Sequence, residues 1–285
     1  MEKVMPASVV SFINMKGGVG KTTLCVGVAE YLANFMGKSI LVIDIDPQFN
    51  ATQSILNKYN RVEEYINDLQ PQKKTIRRIF ETPTSLMEQA RNVTVEDVVT
   101  KVAEKLDFIL GDINIIFDTA QEAVRIHKIK RFINENHLRE KYDYIFIDSP
   151  PTISLFTDAA LVASDYYLVP VKIDHYSVLG ATSLIGVIRN LQHNHNPDIK
   201  NLGFIYTSTA DRFTEKTIRI KQEFESTPPF NDLYFFDNRL SFVRDLMVGG
   251  RGNIPSSYRK SKIEIDAICI EFINRINNIE NEKNA

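Results

Sequence analysis

Short, almost unbroken apolar runs alternate along this chain with segments whose apolar residues recur at helical spacing. Val9–Ile13, Ser39–Ile45, Tyr144–Ile147, Tyr166–Val171 and Leu202–Tyr206 are the runs. Between them, Leu24, Val28, Leu32 and Phe35 mark a first helix, and Leu155–Ala163 and Ser177–Leu191 mark later ones. An apolar strand with no polar alternation belongs in a sheet covered on both faces. Strand and helix in alternation therefore predict an α/β fold: a doubly wound, mostly parallel sheet with helices on both faces. Asp107–Leu110, ending at Gly111, and Leu233–Phe236 read as further short strands. The stretch 57–141 is charged, mostly helical in pattern and poor in motifs, and within it Glu122–Lys141 reads as a solvated helix. No internal repeat or low-complexity linker divides the chain, so residues 1–285 are expected to form one domain, with 57–141 as a variable segment inside it.

Composition narrows the class. At 44% hydrophobic and 25% charged residues, the chain has neither a disordered nor a fibrous signature. A net charge of −2 excludes a wholly basic protein, so any nucleic-acid surface must be a local patch. Cys25 and Cys269 lie inside helical patterns and read as reduced core thiols, which argues against a metal cluster held between subunits. The spacing of His193 and His195 does not put both rings on one helix face, so they do not read as metal ligands. No apolar run reaches membrane-spanning length and the N-terminus lacks a signal-peptide core, which makes the cytoplasm the expected compartment. The last helical pattern, Ile263–Ile279, is amphipathic through Ile265, Ile268, Phe272, Ile273 and Ile276. Its polar face carries Glu264, Asp266 and Glu271, whereas a membrane-surface helix is rich in lysine and arginine. Core packing is expected for it, and no membrane partner.

Chemistry concentrates where strands end. The first strand runs into Asn14-Met15-Lys16-Gly17-Gly18-Val19-Gly20-Lys21-Thr22-Thr23 and then the first helix. Strand, glycine loop and helix in that order form a phosphate cradle: glycines let backbone N–H groups approach a polyphosphate, and the helix presents its positive end to the same anion. Lys21 is placed to reach the β and γ phosphates and the Thr22 hydroxyl to ligate Mg²⁺. The ordinary pattern has glycine where this chain has Met15, and beside it stands an additional cation, Lys16. A second ammonium next to Lys21 needs an anion of its own. The second strand closes on Asp44-Ile45-Asp46-Pro47, putting two carboxylates on one side at the sheet edge where ligands of such folds bind. Tyr144–Ile147 runs into Asp148-Ser149-Pro150-Pro151, the arrangement by which a buried strand delivers a carboxylate to a Mg²⁺ shell. The two prolines stiffen a turn suited to sensing a γ phosphate. Farther on, basic residues outnumber acids between Lys200 and Lys262, and Arg212, Lys216 and Arg219 recur at helical spacing, a face fit for DNA phosphates or simply for solvent.

The string Lys16-Gly17-Gly18-Val19-Gly20-Lys21-Thr22-Thr23 resembles the deviant Walker motif of the ParA/MinD class of P-loop ATPases. Asp44-Ile45-Asp46-Pro47-Gln48-Phe49-Asn50-Ala51-Thr52 resembles the second motif, with Phe49 where glycine is common, and Asp148–Pro151 resembles the third. The likeness extends from Val9 to about Ile276 and is to the short partition ATPases that lack an N-terminal helix-turn-helix. It implies an ATP- and Mg²⁺-dependent hydrolase, slow until stimulated, that forms an ATP-bound sandwich homodimer, with Lys16 of each subunit crossing to the other's phosphates. It implies that Asp46 orients or deprotonates the attacking water while Asp44 and Asp148 hold the Mg²⁺ shell. It further implies nonspecific DNA binding in the ATP state, with Arg212 and Arg239 near DNA-contacting positions, nucleoid association, and a ParB-like centromere-binding partner in plasmid or chromosome partition. A MinD-like or cargo-positioning ATPase on a membrane or organelle uses the same motifs.

Overall fold

The computed structural model describes residues 6–81, 92–117, 125–249 and 252–284. Eight strands form one sheet in the order β3-β4-β2-β5-β1-β6-β7-β8. They are β1 (Ser8–Phe12), β2 (Ile40–Asp44), β3 (Val99–Ala103), β4 (Leu106–Ile109), β5 (Tyr144–Asp148), β6 (Tyr166–Val171), β7 (Lys200–Thr209) and β8 (Leu240–Ser241). Every pairing is parallel except that of β3 with β4. The longer helices are α1 (Lys21–Phe35), α2 (Asn50–Lys58), α3 (Lys128–Glu135), α4 (Leu155–Ala163), α5 (His175–Asn194), α6 (Glu215–Ser226) and α7 (Arg259–Asn284).

The unbroken apolar runs are explained by two cores. Val10, Phe12, Ile40, Val42 and Phe146 face one core with α1 and α7, while Val9, Leu41, Ile43, Ile145 and Ile147 face the other with α3 and α4. Because successive side chains leave a strand on opposite sides, a sheet covered on both faces is apolar at nearly every position, and the buried exception in β1, Ser11, is bonded to the Ser164 hydroxyl. A third cluster joins β6 and β7 to α5 and to Phe224 and Phe230. The C-terminal helix spends its apolar stripe inside: Ile265, Ile268, Cys269, Phe272 and Ile276 are buried, and the Phe272 ring meets those of Tyr144 and Phe146 edge-on. Among the described residues, no helix is long and apolar enough to cross a membrane. Glu30 of α1 is buried yet charged: it accepts from Lys58 of α2 and from Ser256, so its carboxylate ties the two helices together.

Three readings of the sequence need correction. Within 57–141 there is a second strand besides the expected one, which is β4: β3, Val-Thr-Lys-Val-Ala, is a partly exposed edge strand, antiparallel to β4, that the charged surroundings obscured. Leu233–Phe236 makes only one bridge, Phe204 to Phe235, and the last strand is β8. Its apolar character serves ring packing, with Phe235 stacked on Phe204 and Tyr206. Of the expected helix Glu122–Lys141, residues 122–124 lie outside the described ones; α3 is not a solvated rod, since Ile129, Phe132 and Ile133 are buried.

Candidate active site

β1, β2 and β5 all end at one edge of the sheet, around a cleft of about 880 Å³. Its floor is the loop Lys16–Thr23. Gly18 (φ +69°) and Gly20 (φ +78°) take the left-handed backbone that turns the loop into α1. The loop is braced on both sides. Asn14 donates to the Pro170 carbonyl at 2.7 Å and accepts the Lys16 N–H at 2.8 Å, and the Thr207 hydroxyl meets the Val19 carbonyl. A Cβ on Gly17 or Gly18 would enter open space, so the cradle is clear above them. Helix α1 has no side-chain N-cap and no acid in its first turn. Its free N–H groups and positive end therefore face the cleft without internal compensation, the condition for holding an anion.

Lys21 is buried, donates to the Ser149 carbonyl and stands 3.6 Å from Asp148 Oδ1. The Thr22 hydroxyl donates to Asp148 Oδ2 at 2.7 Å. Asp44 and Asp148 are register partners on adjacent strands, and both are fully buried. Burial, with the Asp148 charge second, pushes the Asp44 carboxyl up to about 8. Asp148 is raised too, by burial first, with Lys21 and Thr22 pulling the other way. Asp148 Oδ1 has no hydrogen-bond partner among the described residues. Two buried carboxylates, one of them with an oxygen left unpartnered, and one hydroxyl form a hard oxygen set of the kind Mg²⁺ prefers, so the residues present fit that ion. Asp46 lies on the turn beyond: its Oδ1 accepts the Gln48 N–H at 2.9 Å, and its own N–H reaches Asp44 Oδ1 at 3.3 Å. The turn ends at Phe49 in the left-handed region (φ +41°), the backbone that glycine usually supplies; here the ring stacks on Tyr65.

The cleft is thus lined by Gly17, Gly18, Val19, Gly20, Lys21, Thr22, Thr23 and Asp46, with Asp148 buried behind Lys21 and Thr22 and Asp44 beside it on the neighbouring strand. Lys16 stands at its rim and is turned aside. Its ammonium meets both Asp174 oxygens, at 2.8 and 2.7 Å, so the anion that the sequence called for lies, in the single chain, at the start of α5. Burial works to raise Asp174, but the hydrogen bonds from Lys16 and the Ser177 N–H outweigh it and hold the carboxyl below its ordinary range. Asp174 was not singled out in the sequence; the Asp-x-x-Ser spacing of a helix N-cap was the available signal. Arg212 and Arg239 lie outside the cleft but near one another: Arg239 donates to the Asp211 carbonyl at 3.0 Å and covers the Phe213 ring, while Arg212 is exposed. Arg212 precedes α6, so it does not share a helical face with Lys216 and Arg219.

Against this geometry, an AAA domain family model matches residues 7–201. The sporulation initiation inhibitor protein Soj of Bacillus subtilis is 31% identical over 221 residues, covering 75% of this chain and 78% of that one. Among solved structures, a putative plasmid partition protein of Borrelia burgdorferi bound to AMPPNP superposes with a TM-score of 0.69 at 19% identity, covering 96% and 99% of the two chains. Apo McdA of Cyanothece superposes with a TM-score of 0.73 at 16% identity, covering 95% and 99%.

The carboxylate pair makes a pH prediction for the metal-free protein. Folded Asp44 keeps its proton to about pH 8, whereas the unfolded carboxyl loses it near 3.8, so the folded state binds more protons in between and stability falls as pH rises. Urea unfolding in EDTA from about pH 5 to about pH 8 should show wild type losing stability relative to Asp44→Asn by on the order of 1 kcal/mol per pH unit. Parallel curves for the two proteins would contradict the assignment.

Proposed function

The chain belongs to the AAA domain family as a ParA/Soj-type partition ATPase, and from that premise we propose that it binds Mg²⁺ and ATP in this cleft, hydrolyses the nucleotide slowly, and works as an ATP-bound homodimer on DNA. The observation that carries the reading is the buried pair Asp44 and Asp148, register partners facing an uncapped helix end, Lys21 and Thr22. The AMPPNP carried by the Borrelia protein of like fold supports ATP as the ligand.

In this reading Gly17–Thr23 cradles the phosphates, Lys21 neutralises the β and γ oxygens, and Thr22, Asp44 and Asp148 hold the Mg²⁺ shell. The ion supplies charge neutralisation at the transferred phosphoryl group. Asp46, on its own turn, orients the attacking water. Such chemistry depends on positioning and charge, so an incomplete site turns over slowly. Lys16 completes it from the other subunit, leaving Asp174 for the partner copy's triphosphate. Exposed apolar side chains support a pairing face there: Tyr176, 76% exposed, beside the Lys16 ammonium, Leu179 on the same helix, and Ile153 after β5. DNA is met by Arg212 and Arg239, and a ParB-like centromere-binding protein stimulates release.

Two outcomes test this. A Lys16→Ala protein should still bind ATP through Lys21 but lose partner-stimulated turnover by at least about a hundredfold; a rate equal to wild type would remove the cross-subunit role. Binding to DNA fragments of unrelated sequence should require ATP and weaken steeply with salt, and Arg212→Ala and Arg239→Ala should each reduce the slope of log affinity against log salt by about 1. Nucleotide-independent binding would count against the reading, and ATP-dependent binding to anionic vesicles instead of DNA would favour a membrane-positioning ATPase.

A further inference from the structure

We propose that Thr52 and the Gly111 peptide are positioning residues for the metal site: together they decide which oxygen of Asp44 is left to face the Mg²⁺ shell. The inference rests on the Mg²⁺-nucleotide reading above and concerns residues outside the carboxylates themselves.

Asp44 Oδ2 accepts two bonds from one residue, the Thr52 N–H and the Thr52 hydroxyl, each at 2.8 Å. Thr52 sits in the first turn of α2, whose N-cap, Phe49, offers no side-chain acceptor, so Asp44 caps this helix from outside. The direction of the hydroxyl is fixed by its other neighbour. The Gly111 N–H donates to Thr52 Oγ1 at 2.7 Å, and since a hydroxyl carries a single proton, that proton must point to Asp44. Oδ2 is thereby saturated by donors. Among the described residues Oδ1 receives only the long contact from the Asp46 N–H at 3.3 Å, so its lone pairs would be available to the Mg²⁺ shell.

The Gly111 peptide can reach Thr52 only because it lies flat against the carboxylate. A Cβ at that position would stand 2.6 Å from Phe49 Cβ and 3.0 Å from Asp44 Cγ. Its carbonyl is held in turn by the Tyr65 hydroxyl at 2.8 Å, and the Tyr65 ring stacks on Phe49. The chain of contacts therefore runs Tyr65, Gly111, Thr52, Asp44. The segment 57–141, which carries no nucleotide motif, supplies the wall that aims a motif carboxylate.

The test measures ADP binding by calorimetry in EDTA and across a series of free Mg²⁺ concentrations. Thr52→Val keeps the backbone N–H and removes the hydroxyl; it should raise the Mg²⁺ concentration for half-maximal enhancement about tenfold or more while leaving affinity in EDTA within about twofold. Thr52→Ser should restore the wild-type requirement. If Thr52→Val does not fold, Tyr65→Phe carries the test and should raise the requirement roughly threefold, the worth of one hydrogen bond. An unchanged Mg²⁺ requirement in Thr52→Val, equal losses with and without Mg²⁺, or a serine variant as impaired as the valine one would overturn the inference. A wild type that binds ADP equally well with Mg²⁺ and with EDTA would instead sink the reading beneath it.

Discussion

Asp44 and Asp148 end neighbouring strands in register, and a sheet covered on both faces leaves neither carboxylate in contact with bulk water. Two like charges so placed repel one another and are costly to ionise. The surrounding structure answers that cost. Lys21 is buried beside Asp148, Thr22 and Thr52 each donate to one carboxylate, and the open end of α1 adds positive potential. What these neighbours leave is a net negative charge on buried oxygens, with Asp148 Oδ1 unpartnered among the described residues, which is why the geometry favours a metal-assisted phosphate site over a structural ion-pair cluster.

The parts of this arrangement set by local pattern could be read in the sequence. The glycine loop announces itself because only one backbone form binds phosphate that closely, and β1, β2 and β5 announce themselves because their burial on both faces forbids polar alternation. From those two facts Lys21, Thr22, Asp44, Asp46 and Asp148 fall at one edge. The partners brought in by tertiary packing were not legible. Asp174 is far along the chain from Lys16 and meets it only because β6 lies beside β1. Gly111 looked like a strand terminator; its role comes from the absence of a side chain facing Asp44. Likewise, Phe235 belongs to an aromatic stack rather than a ladder, a distinction that composition does not carry.

Lys16 gives the account its conformational element. In the single chain the ammonium is satisfied by a carboxylate that also caps α5, so its charge is neutralised rather than added to the glycine loop beside Lys21. On the proposed reading, docking exchanges this partner for a triphosphate. The exchange is one ionic contact for another of higher charge, and it leaves Asp174 still capping its helix through the Ser177 N–H. On the same reading, Arg212 and Arg239, which lie outside the cleft, meet DNA while the nucleotide stays enclosed.

On the proposed reading, the buried carboxylate pair holds a divalent cation against a bound nucleotide. Thermal unfolding with ADP tests it most directly, because a ligand raises the melting temperature in proportion to how tightly the folded state binds it. The melting temperature should rise clearly with ADP and Mg²⁺ and much less with ADP and EDTA, and the difference should be lost in Asp148→Asn. Equal rises with Mg²⁺ and with EDTA in the wild type, or a Mg²⁺-dependent rise that survives in Asp148→Asn, would contradict it.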